Sequence, residues 1–266
     1  MIGRRGLVQK VLSGFVLALA ALAPTYAVAP AASAATAATA STVASAGQGS
    51  VPWTLRDPFT REIVRRGDVD VDPYHIEHVY EVQLRLKRLG IFDATPNGRF
   101  GPITEAAVKR FQKRNGLEQT GTVNYRTWQP LIKQSIRGKH AVPHGCRTAG
   151  WHACYNRWWH QVNLYHDGRL FNSWLVRGGG ASTPTRTGRF RVYYRDIDHV
   201  SSTYGSPMPY SQFFSGGQAL HGSRLMMSPY VDHSHGCVNF WTEDAKQLWD
   251  LTSTKTLWVH VYGRWS

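Results

Sequence analysis

Between residues 72 and 131 the apolar positions of the chain recur at helical spacing. Asp72 is placed to cap a first helix and Pro73 suits its first position. The buried face of this helix is predicted to comprise Ile76, Val79, Val82, Leu86 and Leu89, before Gly90 ends it. Pro102 opens a second helix, with Ile103, Ala107 and Phe111 on one face and an end near Gly116. A short third helix around residues 125–131 completes a compact helical module.

After residue 157 the period changes from 3.6 to 2, which is typical of strands. Asp167-Gly168 is a hairpin turn signal, flanked by Val162 and Leu164 on one side and by Leu170, Asn172, Trp174 and Val176 on the other. Two further alternating sets are Phe190, Val192, Tyr194 and Leu257, Val259, Val261. Thr242, Glu243 and Asp244 favour one helix start, and that helix is expected to run to about Leu251. The predicted fold class is α+β, a small three-helix module followed by a mainly β domain.

The first 34 residues have the three parts of a secretory signal peptide. Arg4, Arg5 and Lys10 are positive, residues 11–23 are apolar, and Ala32-Ser33-Ala34 is a small-residue cleavage site. A membrane anchor is the alternative, but the apolar run is shorter than the ~20 residues that span a bilayer. We therefore expect an exported protein that begins near Ala35 and has no stable membrane span after cleavage.

Composition changes mark the remaining boundaries. Residues 35–71 begin with an uncharged Ala/Thr/Ser/Gly stretch and are predicted to be a linker or tether. The helical module is assigned to residues 72–133, a second linker to 134–157, and the β domain to 158–263.

The chain is strongly basic, with a formal net charge of +14 over 266 residues. Removal of residues 1–34 lowers this to +11, because that segment holds three Lys or Arg and no acidic residue. An exported basic protein meets anionic cell-wall polymers rather than nucleic acid, so we expect the former as partners and not the latter.

Three cysteines in an exported chain suggest one disulfide and one free thiol. Cys146 and Cys154 are close in sequence, and an oxidising compartment favours a disulfide between them. His144 and His152 lie in the same segment, so a structural zinc site is the alternative. Cys237 remains as the free thiol.

The sharpest chemical signal is His221-Gly222-Ser223 followed by Ser234-His235-Gly236-Cys237-Val238-Asn239. Amide exchange needs a nucleophile, a base and donors for an oxyanion. A thiol next to an imidazole supplies the first two, so Cys237 and His221 are the candidate nucleophile and base. Gly236 permits a tight turn, in which the amides of residues 235–237 could meet one oxygen.

Residues 72–131 resemble a peptidoglycan-binding domain. The matching positions are Val82-Gln83-Leu84, Leu89-Gly90, Asn97-Gly98-Arg99-Phe100-Gly101-Pro102, Thr104, Ala107-Val108, Phe111-Gln112, Gly121 and Thr127-Trp128. Most of these residues are expected to be core and turn positions. The resemblance implies binding to glycan or peptide, and the residues that would do so cannot be assigned from the sequence.

The His-Gly and Ser-His-Gly-Cys-x-Asn motifs resemble the L,D-transpeptidase catalytic domain, also called YkuD. Thr183-Pro184-Thr185, Thr187-Gly188-Arg189-Phe190 and Met208-Pro209-Tyr210 support the resemblance over residues 158–262. It implies a β-sandwich, a thioester on Cys237 formed with a peptidoglycan stem tetrapeptide, His221 as base, and no cofactor or metal. Ser234, His235 and Gly236 are assigned to the catalytic set, and Tyr210, Gly222 and Asn239 to substrate binding.

Two other classes of function stay open at this point. A zinc peptidase or amidase could use His221, His233, His235 and Cys237 as ligands, although only Asp232 is a nearby carboxylate. A wall-binding protein without catalysis is the other class.

Overall fold

The computed structural model describes residues 58–70 and 78–265, and all of them belong to one compact unit. The predicted signal peptide, most of the tether and the Asp72-Pro73 cap lie outside the described residues. Among the described residues no helix combines the length and the apolar character needed to cross a membrane.

The helical module consists of α1 (Val79–Arg88), α2 (Pro102–Arg114) and α3 (Tyr125–Ser135). Helix α1 begins at Val79 because His78 has a left-handed backbone with φ of 52°, which helical residues do not adopt. Val79, Val82 and Leu86 point into the module core as predicted. The face of α2 is a correction: Ile103 is exposed, and Thr104 is buried beside Ala107, Val108 and Phe111.

The end of the predicted tether is packed against the module. Phe59 and Val64 belong to its core, and Val64 and Val123 exchange two backbone hydrogen bonds. Arg61 is buried among carboxylates. Residues 58–70 are therefore part of the folded unit, which corrects their assignment to a tether.

The β domain is built from two sheets that share one apolar core. The first has the order β3-β2-β1-β9-β4, with β1 (Trp151–Asn156), β2 (Gln161–His166), β3 (Arg169–Leu175), β4 (Gly188–Arg191) and β9 (Leu257–Tyr262). The second has the order β5-β6-β7-β8, with β5 (Tyr194–Val200), β6 (Pro207–Ser215), β7 (Gln218–Gly222) and β8 (Val238–Phe240). Residues from both sheets, such as Trp174 and Phe240, meet in this core, and α4 (Thr242–Thr252) packs into it. The predicted α+β class with a β-sandwich is confirmed.

Two local predictions in this domain are also confirmed. Asp167 and Gly168 connect β2 to β3 with φ values of 49° and 75°, the left-handed pair of a tight hairpin turn. Cys146 and Cys154 form a disulfide, with Cα atoms 6.2 Å apart.

The predicted linker over residues 134–157 needs a correction. Its last part forms β1, which lies at the centre of the five-stranded sheet between β2 and β9. The disulfide attaches a 3-10 turn over His144–Arg147 to this strand. The sequence predicts strand β1 only weakly, because both of its faces are buried and its residues therefore do not alternate between apolar and polar.

Candidate active site

Two neighbouring parallel strands bring the candidate base and nucleophile together. In the register of β7 and β8, Leu220 lies opposite Val238 and His221 lies opposite Asn239. Leu220 and Val238 point into the sandwich core. Side chains alternate along a strand, so His221, Asn239 and the preceding Cys237 belong to the other face of the sheet. There the half-buried Cys237 packs against Met208, Phe213 and Ala219.

The imidazole of His221 is held in one tautomer. Its Nδ1 lies 2.7 Å from the carbonyl oxygen of Gly222. A carbonyl oxygen only accepts hydrogen bonds, so the proton of the neutral ring is on Nδ1. Nε2 therefore keeps a lone pair and is the basic nitrogen of the site.

Both groups are neutral at rest. Burial lowers the pKa of His221 to about 4, the Gly222 hydrogen bond acts in the opposite direction, and the charges of Arg177 and His199 add to the lowering. Burial raises the pKa of the Cys237 thiol. The Sγ atom lies 3.8 Å from the Gly217 carbonyl oxygen, a contact that suits a protonated thiol. An ion pair of thiolate and imidazolium is thus disfavoured before substrate is present.

Ser234 and Gly236 shape the turn that presents the thiol. Ser234 Oγ accepts a hydrogen bond from the Gly236 amide at 3.1 Å and donates one to the Cys237 carbonyl at 2.5 Å. Gly236 has φ of 118°, and a Cβ there would lie 2.3 Å from the Gln218 side chain. Only glycine fits this position. The Gly236 amide is occupied by Ser234, so the candidate oxyanion donors are reduced to the amides of His235 and Cys237.

A glycine strip that the sequence analysis did not single out supports the same turn. Gly178 accepts a hydrogen bond from the Ser234 amide, and the Gly180 amide donates to the Ser234 carbonyl. A Cβ at Gly178 would lie 1.9 Å from the hydroxyl of Tyr155, and one at Gly179 would lie 2.1 Å from the Thr183 carbonyl. The run of three consecutive glycines in the sequence was the available signal for such close packing.

The other predicted site residues occupy different positions around this centre. His235 is exposed, and its ring stacks on Tyr204 from the β5–β6 turn, with centroids 4.2 Å apart. Gly222 ends β7, and a Cβ there would lie 3.1 Å from Pro209. Asn239 is buried beside His221. The Tyr210 ring packs towards Trp249 of α4, so its predicted role in substrate binding stays a prediction.

The histidines proposed as zinc ligands do not form a recognised cluster. Within the described ranges, two groups of side chains could hold a metal. The first is Cys146, Cys154 and His260, and the second is His78, Glu81 and Asp244. The first contains the disulfide, and the second has Arg61 Nε 2.8 Å from Asp244. His233 lies against Trp265 and His235 against Tyr204. None of these contacts favours a zinc centre at Cys237.

A free thiol and a tautomer-fixed imidazole thus lie on one face of the second sheet, with Cys237 directly before β8 and His221 on β7. Residues 155–261 match the YkuD family, described as the L,D-transpeptidase catalytic domain, and residues 76–131 match the putative peptidoglycan binding domain. A match to the peptidoglycan-binding domain over residues 76–131 therefore precedes a match to the L,D-transpeptidase catalytic domain over residues 155–261.

Among curated proteins, the chain is similar to the spore cortex-lytic enzyme of Bacillus cereus, with 30% identity over 92 residues. This match covers 35% of the chain and about a third, 33%, of that relative's length. Among solved structures, an L,D-transpeptidase from Stackebrandtia nassauensis has 24% identity and a TM-score of 0.48, over 76% of this chain and 96% of that one. One from Xylanimonas cellulosilytica has 27% identity and a TM-score of 0.44, over 75% and 97%.

Proposed function

We propose that this protein is an L,D-transpeptidase that forms cross-links between peptidoglycan stem peptides through a thioester on Cys237. The observation that carries the proposal is the fixed tautomer of His221, which leaves Nε2 basic. His221 lies on β7, and Cys237 directly precedes the neighbouring strand β8. A base on the strand next to a half-buried thiol is what nucleophilic acyl transfer requires.

The reaction follows from the neutral resting state. A neutral thiol is a poor nucleophile, so the proton moves from Sγ to His221 Nε2 as Sγ attacks the amide carbonyl of the donor stem. The carbonyl oxygen becomes an oxyanion, for which the amides of His235 and Cys237 are the candidate donors. Collapse of this intermediate forms the thioester and breaks the C–N bond, and His221 returns its proton to the departing amine. An amine of a second stem then attacks the thioester while His221 Nε2 takes its proton. The new C–N bond forms, the C–S bond breaks, and His221 returns the proton to Sγ, which restores the thiol.

The peptidoglycan-binding domain and the basic charge suit a protein that works at the cell wall. The domain match supports peptidoglycan as the macromolecular substrate. The net charge of +11 that is expected after removal of residues 1–34, which carry three of the +14 charges, supports long-range attraction to carboxylate- and phosphate-bearing wall polymers. We therefore place the activity outside the cytoplasm.

Intact-mass spectrometry with a soluble tetrapeptide stem and with a carbapenem tests the assignment of Cys237. One adduct per chain should form on Cys237, because a lactam carbonyl is the same kind of electrophile as the stem amide. Cys237→Ala should lose both the adduct and turnover. His221→Ala should retain a thiol that reacts ~100-fold or more slowly, since a general base is lost.

His233→Ala is the matched control, because His233 is an exposed histidine in the segment between β7 and Cys237. Its ring packs against Trp265. This variant should react at the parent rate. Turnover in Cys237→Ala would contradict the role given to Cys237, and activity lost to a chelator and restored by zinc would support the metallopeptidase class. Absence of turnover in the parent protein, together with intact wall binding, would support a binding protein without catalysis.

A further inference from the structure

The segment that joins the base to the nucleophile is irregular. We call residues 223–236 the catalytic loop, because it connects the end of β7 at Gly222 to Cys237. It contains turns and bends but no helix or strand. An irregular segment depends on side-chain contacts with its surroundings to keep one conformation.

The first such contact is apolar and comes from the peptidoglycan-binding domain. Met226 of the catalytic loop is fully buried in a cluster with Leu175 and Trp241. Tyr80 and Leu84 of α1 pack against this cluster. The loop is therefore attached partly to a helix of the other domain.

The second contact is polar and involves Arg88, at the end of the same helix. Its guanidinium donates to the Tyr230 hydroxyl at 2.5 Å, to the Trp159 carbonyl at 2.7 Å and to the Gln161 side chain at 2.7 Å. The Tyr230 ring packs edge-on against His160, with centroids 5.0 Å apart. Arg88 thus connects α1, the start of β2 and the catalytic loop.

These contacts come from one stripe of α1. Tyr80, Leu84 and Arg88 are spaced four residues apart, which puts them on one side of a helix. Val79, Val82 and Leu86 form a separate stripe that fills the core of the helical module. Helix α1 therefore has a second, partly buried face, and that face is directed at the catalytic domain.

We propose that α1 of the peptidoglycan-binding domain is a positioning element of the active site, which holds the catalytic loop through Tyr80, Leu84 and Arg88. The role of the loop in turnover rests on the proposed function, but its effect on the Cys237 thiol does not. With Tyr230 and Met226 held, Ser234 and Gly236 keep the turn that presents the thiol. Arg88 and Tyr230 act through this loop and need not touch the substrate.

The variants Arg88→Gln and Tyr230→Phe test the proposal in the full-length protein. Tyr230→Phe removes one hydroxyl group and keeps the ring against His160, so the fold should be retained. Each variant should lower the rate of Cys237 alkylation by iodoacetamide and of acylation by a soluble stem peptide by about 5-fold, with KM for the peptide little changed. The double variant should be no slower than the worse single variant, because both substitutions break the same contact.

Hydrogen exchange supplies a readout that needs no reaction. Amides of residues 224–232 should exchange faster in both variants, with α1 still protected. Arg110→Gln is the matched control, since Arg110 donates to the Ile91 carbonyl within the helical module at 2.7 Å. It should leave both the exchange of the catalytic loop and the alkylation rate at parent values.

Parent-like exchange and alkylation in Tyr230→Phe and Arg88→Gln would overturn the proposal. An increase in KM alone would also overturn it, because that result assigns Tyr230 to substrate binding. If alkylation and exchange respond as expected and no variant or parent turns over stem peptide, the positioning role stands and the proposed function fails.

Discussion

Arg177 lies in a cross-strand row with the proposed base. Its backbone exchanges two hydrogen bonds with Asn239, and Asn239 is opposite His221 in the register of β7 and β8. The three side chains therefore share one face of the sheet. Arg177 is only 7% exposed, and its Nη1 lies 3.4 Å from the carbonyls of Leu225 and Val231.

This buried charge contributes to keeping His221 unprotonated. Burial is the largest cause of the low His221 pKa, and the neighbouring Arg177 acts in the same direction. Asp232 in the catalytic loop faces Arg177 and favours its charged form. Since a neutral His221 is the proposed base, activity should be lost only as pH falls through a value of about 4.

Replacing Arg177 with Gln should change the pH at which activity is lost on the acidic side, which is the acid limb of the pH profile. Loss of the cation raises the pKa of His221 towards its usual range, so the acid limb of kcat/KM should shift up by about 1 pH unit. Arg177→Lys keeps the charge and should shift the limb less. The measurement is kcat/KM against pH, together with NMR titration of the His221 ring in a Cys237→Ala background.

Arg195→Gln is the control for this experiment. Arg195 of β5 likewise donates to backbone carbonyls, those of Thr252 and Lys255, but it is not among the groups that shift the His221 pKa. It should leave the acid limb in place. An unchanged limb in Arg177→Gln would contradict the role given to Arg177.

At the scale of elements, helices α1 and α4 meet through buried charges. Arg61 Nε lies 2.8 Å from Asp244 Oδ1, and Arg85 Nη2 lies 2.6 Å from Glu81 Oε1. His78 is completely buried, contacts Glu62 and lies 3.5 Å from Asp244. Removing one member of such a cluster leaves a buried charge without its partner, which typically costs about 3 kcal/mol or more.

The shifted pKa values of His78 and Asp244 change the free energy of unfolding with pH in opposite directions. Burial alone would lower the pKa of His78, but the carboxylates of Glu62 and Asp244 outweigh it and raise that pKa well above its ordinary value. Burial alone would raise the pKa of Asp244, but Arg61 and His78 outweigh it and lower that pKa. The His78 contribution to stability is complete below its unfolded pKa of about 6.5 and is lost as pH rises through the folded pKa. The Asp244 contribution is present above its unfolded pKa and is lost as pH falls through the folded pKa.

Denaturant unfolding of His78→Gln against the parent at about pH 6 and about pH 9 tests this sign. The variant should be less stable than the parent, and the difference should be larger at the lower pH. His166→Gln is the control, because the partly exposed His166 stacks on Trp151 and its ion-pair partner at 3.4 Å, Asp167, is exposed. It should change little at either pH, since exposed ion pairs contribute about 1 kcal/mol or less. A difference that grows with pH would refute the protonated state of His78.

For the whole molecule, the two matched domains form one folded unit. Besides the buried charges, Arg85 of α1 donates to the Ser173 carbonyl of β3 at 3.0 Å. Cutting between the domains would leave Asp244 without Arg61 and His78 and would uncover the cluster around Met226. The helical module has its own apolar core, but its buried charges have their partners in the β domain.

A fragment of residues 134–266 should therefore be much less stable than the full chain. We expect its Tm to be about 10 °C or more lower, and we expect the full chain to unfold in one cooperative transition by calorimetry. A chain of residues 45–266 is the control, because it keeps both matched domains. Two separate transitions in the full chain, or an unchanged Tm for the fragment, would show that the domains are independent.

Local chemistry determined a large part of this protein from the sequence. The Asp167-Gly168 turn, the core stripe of α1 and the boundaries of α4 depend on near neighbours, so periodicity and turn residues were sufficient to predict them. His221 and Cys237 were found because strands β7 and β8 are joined by a loop short enough to keep both in one motif.

The tertiary structure decided which polar side chains are buried and what they contact. Asp244 was predicted as a favourable charge at a helix start, but its environment is set by Arg61 and His78, which are distant in sequence. Arg177 and Arg88 gave no local signal for the same reason: their partners lie on other elements. The periodicity of apolar residues predicts which face of each helix or strand is buried. The free energy of a buried charge depends instead on partners that only the folded chain brings within a few ångströms.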